Sequence, residues 1–187
     1  EEAARDYLYL LEKFSPLADY LTVNISSPNT VGLRRLQARD ALEDLLHQLN
    51  VKRSTCNLQR PILVKLAPDL SDIELDDALD AIMRAHMEGV IATNTTINRA
   101  GVRSAVAGES GGLSGAPLTH PSTAIIQKVY QRTQGKLPIV GVGGIITPDD
   151  AQEKLDAGAT LVQVYTGLIY QGPGIVKDIV TYLSDKS

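Results

Sequence analysis

Three kinds of residue in this sequence are suited to chemistry, and most of them stand in or just after a short apolar run. The first is Lys65, which interrupts the run 61–66 (PILVKL). If its ammonium lies on the inner side of a buried strand, it must meet an anion, because an unpaired buried charge is very costly. If it lies on the outer side, its long stem carries the charge past a covering helix into water. The strand alone favours the anion partner.

The second kind is a pair of amide and hydroxyl clusters, in the segments 24–30 (NISSPNT) and 93–96 (TNTT). Such groups can hold a polar, planar ligand by hydrogen bonds. They also suit the Asx and Ser turns that lead from a strand into a helix. The occurrence of the same device after two different strands favours the ligand.

The third kind is glycine. The segments 141–144 (GVGG) and 165–167 (YTG) match the phosphate site that (β/α)8 barrels form after strands seven and eight, where backbone N–H groups bind the anion. Alternatively, these glycines only allow a strand and a helix to pack closely. A further run, 111–115 (GGLSG), is either an anion-binding turn or a flexible loop.

These residues are carried by a chain that alternates between strands and helices. A capping box at Ser71 and Glu74 and an N-cap at Thr147 followed by Pro148 mark two of the helix starts. The alternation predicts five β/α units. The predicted strands are 20–24, 61–66, 89–93, 137–142 and 160–165, and the predicted helices are 1–14, 40–49, 72–87, 121–133, 148–157 and 174–183.

Strict alternation with apolar strands predicts the α/β class, with a parallel sheet covered by helices. Polar or glycine residues at nearly every strand end favour a (β/α)8 barrel over a doubly wound sheet, since barrels keep their chemistry at the carboxyl ends of the strands. Five units cannot close such a barrel, so about three strands are expected before Glu1. We therefore predict that residues 1–187 are the C-terminal part of one barrel domain. The long stretch 94–115 is expected to be a lid or a binding segment.

Composition disfavours several other kinds of protein. Of the 187 residues, 43% are hydrophobic and 21% are charged, which is ordinary for a globular domain, and the net charge of −4 offers no basic surface for nucleic acid. One cysteine, Cys56, and three scattered histidines give no metal-ligand spacing, so neither a metal nor a disulfide is predicted. There is no run of about 18 apolar residues, so these residues are not expected to span a membrane.

Five motifs, taken together and in this order, resemble the dihydroorotate dehydrogenase family. They are 23–30 (VNISSPNT), 64–69 (VKLAPD), 93–96 (TNTT), 111–115 (GGLSG) and 141–144 (GVGG), and the resemblance extends over essentially the whole chain. It implies a flavoenzyme that oxidises (S)-dihydroorotate to orotate in the synthesis of UMP, with FMN as its cofactor.

The resemblance also implies a role for individual residues. Asn24 would contact both the flavin and the substrate, and Lys65 would favour the negative charge that develops on the flavin ring. Dihydroorotate would be held by Asn29, Asn94 and Thr95, and the flavin would also be contacted by Thr93, Gly115, Gly144, Tyr165 and Thr166.

Ser27 matches the catalytic base of the family, which removes a proton from C5 of dihydroorotate while a hydride passes from C6 to the flavin. A serine at this position, where other members have cysteine, resembles the quinone-linked, membrane-associated class. Serine is a poor base by itself and needs orienting neighbours and a route for its proton. Because the resemblance is to the quinone-linked class, a quinone is the expected electron acceptor. The expected location is the cytoplasmic face of the bacterial inner membrane or, alternatively, the mitochondrial inner membrane.

The family pattern also has parts that this sequence lacks. These are about three barrel strands, further flavin and substrate residues, and a small helical element that admits quinone and contacts the membrane. Two alternatives stay open. The chain could belong to another FMN barrel, such as a dihydropyrimidine dehydrogenase or a dihydrouridine synthase, although the substrate asparagines disfavour the latter. It could also be a catalytically silent half-barrel.

Overall fold

The structure is a computed structural model that describes residues 2–186. Within these residues, five strands alternate with helices along the chain. The strands are β1 Leu21–Asn24, β2 Ile62–Leu66, β3 Gly89–Ala92, β4 Ile139–Val142 and β5 Leu161–Gln163. The helices are α1 Glu2–Phe14, α2 Arg39–Thr55, α3 Asp72–Arg84, α4 Thr119–Thr133, α5 Pro148–Asp156, α6 Thr166–Gln171 and α7 Gly174–Asp185.

The strands form one parallel sheet in the order β1-β2-β3-β4-β5. Strands that are neighbours in the sheet are therefore neighbours in the sequence, and each of the helices α1 to α4 contacts the next one along the chain. A doubly wound sheet reverses its strand order at a switch point, and no reversal occurs in the described residues. Winding in a single direction is the pattern of a (β/α)8 barrel. The predicted parallel α/β architecture is confirmed.

The register of the sheet brings the predicted site residues to one edge. Asn24, the last residue of β1, lies opposite Lys65 in β2. Leu66 lies opposite Ala92, the last residue of β3, and Ala92 lies opposite Gly141 in β4. Because all the strands run in the same direction, the loops that follow them emerge together at this edge.

Alternation of side chains in β2 shows how the sheet divides its residues between two sides. Ile62, Val64 and Leu66 are buried in the core formed with the helices, whereas Leu63 and Lys65 are only partly buried. Burying an apolar side chain of this size stabilises the fold by about 1.5–3 kcal/mol relative to leaving it exposed. Helix residues in the same core include Leu42, Leu46 and Leu49 of α2, Leu75 and Ile82 of α3, and Ile126 and Val129 of α4.

Several predicted boundaries need correction. The helix predicted over 40–49 runs from Arg39 to Thr55, and basic residues in its last turn suit the negative end of the helix dipole. The helix predicted to reach Met87 ends at Arg84, because His86 has a φ of 51° and cannot continue it. The predicted strands are each shorter at one or both ends, where the backbone leaves the sheet to form the loops.

Both predicted helix starts are full capping boxes. The Ser71 hydroxyl accepts from the Glu74 N–H at 3.3 Å, and the Thr147 hydroxyl accepts from the Asp150 N–H at 3.2 Å. One helix, the short α6, was not predicted. It begins inside the segment 165–167, at the edge of the sheet where the loops emerge.

Candidate active site

A cleft of about 230 Å³ opens at the carboxyl ends of β2 to β5. Eight of the predicted site residues line it, namely Lys65, Thr93, Asn94, Thr95, Gly115, Gly144, Tyr165 and Thr166. Three others, Asn24, Ser27 and Asn29, lie in or just after β1 and do not line the cleft. Of these, Asn24 is joined by a hydrogen bond to Asn94 in its wall.

Lys65 lies on the side of β2 that faces the cleft, so the outward alternative does not hold. Its side chain is about half-buried, and this burial lowers the pKa of the ammonium. Within residues 2–186, the ammonium has neither a hydrogen-bond partner nor an ion-pair partner. A positive charge held in this way favours an anionic ligand in the cleft.

The turn after β4, which we call the glycine turn (Gly143, Gly144 and Ile145), presents its backbone to the cleft. The Ser122 hydroxyl donates to the Gly143 carbonyl at 2.8 Å, and the Thr119 hydroxyl donates to the Gly144 carbonyl at 2.7 Å. Within the described chain, the N–H groups of Gly144 and Ile145 have no protein acceptor. Neighbouring free N–H groups are a common means of binding an anion.

Another part of the cleft wall joins the β3–α4 loop to α6. The Thr166 hydroxyl donates to the Ser114 hydroxyl at 3.0 Å. A side chain at Gly115 would come within 3.1 Å of the Thr166 methyl group, so the two backbones are close. Tyr165 precedes α6 and is 73% exposed, which leaves its ring free to cover a ligand.

Four polar residues, which we call the amide network (Asn24, Ser26, Asn94 and Thr95), join the end of β1 to the end of β3. The Asn94 side-chain nitrogen donates to Asn24 Oδ1 and to Ser26 Oγ, at 3.0 Å in both cases. The Asn94 side-chain oxygen accepts from the Thr95 N–H at 2.8 Å. These bonds orient both asparagine amides at the edge of the cleft.

Two adjacent serines follow β1 and differ in their surroundings. Ser26 is fully buried, and its hydroxyl both accepts from Asn94 and donates to Asn24. Ser27 is partly buried, and its oxygen accepts from the Asn29 N–H at 3.3 Å. Among the described residues, the Ser27 hydroxyl proton has no acceptor. Its proton is therefore the more available of the two.

Arg34, which the sequence analysis did not single out, holds the site loops together. Its guanidinium donates to the Ser26 carbonyl at 3.1 Å, to the Thr95 carbonyl at 2.9 Å and to the Asp69 carboxylate at 2.8 Å. Asp69 in turn accepts from the Thr96 hydroxyl. The Arg34–Asp69 pair thus connects the loops that follow β1, β2 and β3.

Lys154 is a second residue that the sequence analysis did not single out. It is fully buried, and its Nζ donates to the Thr119 carbonyl at 2.6 Å and to the Thr123 hydroxyl at 2.5 Å. Burial lowers the pKa of this ammonium to about 8. Lys154 therefore supports the first turn of α4, which holds the glycine turn.

Comparison with known proteins assigns the family. The family model described as dihydroorotate dehydrogenase matches residues 1–186. The chain belongs to the dihydroorotate dehydrogenase family. A relative named dihydroorotate dehydrogenase (quinone) from Idiomarina loihiensis is 50% identical over 187 residues, with 98% of this chain and 56% of the relative covered. One of the same name from Anaeromyxobacter sp. (strain K) is 55% identical over 177 residues, with 94% and 49% covered.

Solved structures of dihydroorotate dehydrogenase show the same fold. The crystal structure of the Eimeria tenella protein in complex with ferulenol matches with a TM-score of 0.90 and 36% identity, covering 96% of this chain and 53% of that one. The ligand-free form matches with a TM-score of 0.89. The chain spans about half the length of the curated relatives it matches. The sheet is thus part of a (β/α)8 barrel, as predicted.

Two of the residues without a predicted role carried a signal in the sequence. Asp69 closes the motif 64–69, and Lys154 stands three residues after Ala151, on the buried face of α5. For Arg34, no spacing or motif distinguishes it from its neighbour Arg35.

In residues 2–186, no group of three or more metal-ligating side chains is clustered, and no helix is long and apolar enough to cross a membrane.

Proposed function

We propose that this chain forms most of the FMN and dihydroorotate sites of a dihydroorotate dehydrogenase that oxidises (S)-dihydroorotate to orotate for UMP synthesis. One observation carries the proposal. The unpaired ammonium of Lys65, the free N–H groups of the glycine turn and two residues of the amide network, Asn94 and Thr95, line a single cleft. The ammonium and the N–H groups suit the ring and the phosphate of a flavin mononucleotide. The amides suit a planar substrate with several carbonyl and N–H groups.

The residues proposed to hold FMN follow the cleft from the ring to the phosphate. FMN, when bound, supplies the hydride acceptor for the reaction. Lys65 would lie beside the ring, where its charge favours negative charge on the ring. The unpaired state of the ammonium supports this role, because a bound anion would relieve the cost of burying it. The other proposed contacts are Thr93, Gly115, Gly144, Tyr165 and Thr166, which line the cleft, and Asn24, which is bonded to Asn94 in its wall.

The residues proposed to bind dihydroorotate are Asn24, Asn29, Asn94 and Thr95. Each asparagine amide offers both a donor and an acceptor, which matches the alternating carbonyl and N–H groups of the substrate ring. The bonds within the amide network support this role, because they hold Asn24 and Asn94 in place before a ligand binds. Side chains that are already ordered lose less conformational entropy on binding.

We further propose that Ser27 is the base that takes the C5 proton. The Asn29 N–H fixes the position of its oxygen, and its own proton is free to pass to water. Ser26 is less suited, because its hydroxyl is fully buried and already bonded to Asn24 and Asn94. In this proposal Ser26 orients the asparagine amides, and Ser27 removes the C5 proton.

The wider protein is proposed to complete the barrel with strands from outside these 187 residues and to pass electrons to a quinone. The names of the relatives from Idiomarina and Anaeromyxobacter, both given as quinone enzymes, support the quinone. Contact with the membrane would come from an N-terminal element. Because those relatives are bacterial, the cytoplasmic face of the bacterial inner membrane is the proposed location, with the mitochondrial inner membrane as the alternative.

The test of this function is anaerobic mixing of the intact protein with dihydroorotate while the visible absorbance of the flavin is followed. Dihydroorotate is expected to bleach the flavin. The variant Ser27→Ala should slow bleaching by about 100- to 10,000-fold, the usual contribution of a positioned acid or base. The matched control is Ser54→Ala, which removes an exposed hydroxyl on α2 and should leave the rate unchanged.

Three outcomes would contradict parts of the proposal. Bleaching at the normal rate in Ser27→Ala would rule out this serine as the base. Faster reduction by a dihydropyrimidine without a carboxylate, or oxidation of tRNA dihydrouridine, would favour another flavin enzyme. Reoxidation of the bleached flavin by fumarate or NAD, but not by a quinone, would rule out the quinone-linked class.

A further inference from the structure

The first turn of α4 carries two hydroxyls that hold the glycine turn from behind. Ser122 is fully buried and donates to the Gly143 carbonyl, and Thr119 donates to the Gly144 carbonyl. Both hydroxyls therefore bond to consecutive peptide groups of the same turn. The proposed function gives neither of them a role.

These two bonds determine where the turn directs its N–H groups. In a trans peptide the carbonyl and the following N–H point in opposite directions. When the Gly143 carbonyl points toward Ser122, the Gly144 N–H points away from α4. The Gly144 carbonyl and the Ile145 N–H are related in the same way through Thr119. Both N–H groups lack a protein acceptor within the described chain, and both residues line the cleft.

The start of α4 is itself held in place. A methyl group at Gly144 would lie 2.2 Å from the Thr119 backbone nitrogen, so the turn and the helix are in direct contact. On the far side, Lys154 donates to the Thr119 carbonyl and to the Thr123 hydroxyl. A chain of contacts thus runs from the buried ammonium through Thr119 to the N–H groups at the cleft.

We propose that Thr119 and Ser122 are positioning residues that select a phosphorylated flavin by directing two backbone N–H groups at its phosphate. The inference rests on the proposed FMN site and deepens it. It assigns the discrimination between FMN and riboflavin to hydroxyls that touch neither molecule. The phosphate of FMN would accept a charge-assisted hydrogen bond from each N–H group, so its affinity depends on the direction of both groups. The isoalloxazine ring, which FMN and riboflavin share, does not contact these N–H groups.

The test compares two flavins in the intact protein freed of its cofactor. Dissociation constants for FMN and for riboflavin are measured by quenching of flavin fluorescence, in the wild type and in Thr119→Val and Ser122→Ala. Each variant should weaken FMN binding by about tenfold, the scale of one or two lost hydrogen bonds, and leave riboflavin binding unchanged. Thr119→Ser keeps the hydroxyl and should restore the preference for FMN.

The matched control is Thr133→Val, which removes a buried hydroxyl at the other end of α4, where it donates to the Val129 carbonyl. It should leave the ratio of the two constants as in the wild type. Equal weakening of FMN and riboflavin in Thr119→Val would show a merely structural role and overturn the inference. Unchanged binding of both flavins would also overturn it. A wild type that binds neither flavin would instead overturn the proposed function.

Discussion

The two ends of the cleft recognise a ligand with different parts of the chain. At the glycine turn after β4, the groups directed at the cleft are backbone N–H groups, and the Thr119 and Ser122 side chains hold that backbone from behind. Near β1 to β3, the groups are side chains of the amide network, and the backbone carbonyls of Ser26 and Thr95 serve as attachment points for Arg34. The glycine turn should therefore be sensitive to added atoms, and the amide network to removed or misplaced ones.

The supports of the two ends differ as well. Lys154 is buried and donates to neutral oxygens, so the cost of removing its charge from water is not offset by an ion pair among the described residues. Arg34 and Asp69 form an ion pair at 2.8 Å with side chains that are 22% and 20% exposed. Lys154, which supports the glycine turn, should therefore change its contribution to stability at alkaline pH. Arg34, which supports the amide network, should instead be sensitive to replacement by a side chain without a planar guanidinium.

The largest effect is expected for Gly144→Ala. Its φ of +71° disfavours alanine, and the added methyl would clash with the Thr119 backbone, which cannot move as a flexible side chain would. Strain and overpacking together should lower the free energy of unfolding by about 3 kcal/mol. FMN binding should be lost, because the turn must shift. Urea unfolding and flavin titration measure the two effects.

A matched control for this variant lies in the loop after β1. Gly32 has a similar φ of +75°, but no atom lies within 4 Å of a methyl group built there. Gly32→Ala should therefore show only the backbone strain, about 1–2 kcal/mol, and keep its flavin. If the two variants lose equal stability and both retain FMN, the close contact between Gly144 and Thr119 is not required for FMN binding.

The next effect is expected for Arg34→Lys. Lysine keeps the charge but cannot reach two carbonyls and a carboxylate at once with a planar fork. The loops after β1 and β3 should loosen, and the affinity for orotate should fall about tenfold, the scale of one or two lost hydrogen bonds. FMN binding should change little. The perturbation of the flavin spectrum by orotate measures the orotate affinity, and quenching of flavin fluorescence measures the FMN affinity.

The exposed neighbour Arg35 provides the control, because Arg35→Lys changes the same residue type one position away. It should leave both affinities as in the wild type. Equal losses of FMN and orotate affinity in Arg34→Lys would mean that the two ends of the cleft are not separately supported, and the comparison between them would fail.

Local chemistry explains why the sequence predicted most of the fold. The capping boxes at Ser71 and Thr147 depend on residues three positions apart, and the apolar strands depend on runs of adjacent residues. Both can therefore be predicted from short segments of the sequence. The predicted end of α3 was wrong. The helix ends where His86 adopts a positive φ, and the residue type histidine does not specify that conformation. The short α6 was not predicted, because six residues carry too little periodicity.

The candidate site divides in the same way. Lys65 and the polar strand ends were predicted because parallel strands bring their carboxyl ends together whatever the loops do. The supporting residues were not, because their contacts are long-range. Arg34 bonds to Thr95, which is 61 positions away, and Lys154 bonds to Thr119, which is 35 positions away. Such pairs depend on how the loops and helices pack, and no local pattern carries that information.

A pH-dependent effect is expected from the ionisation of Lys154, and it tests the difference between the two supports. Burial lowers the pKa of this ammonium from 10.5 to about 8, while Asp150 and Glu153 on the same helix act in the opposite direction. Between these two pH values the unfolded chain binds more protons than the folded one, so the free energy of unfolding should rise with pH. The destabilisation from the buried charge is fully present below pH 8 and disappears above pH 10.5.

The measurement is urea unfolding of the wild type and Lys154→Met across this pH range. All other ionisable groups are the same in both proteins, so their contributions cancel in the difference between the two, and only the Lys154 contribution remains. The wild type should gain stability relative to Lys154→Met as the pH rises. Identical pH profiles would mean that the ammonium is not desolvated in the folded protein. The glycine turn would then be supported in the same way as the amide network, by a charge that water still reaches.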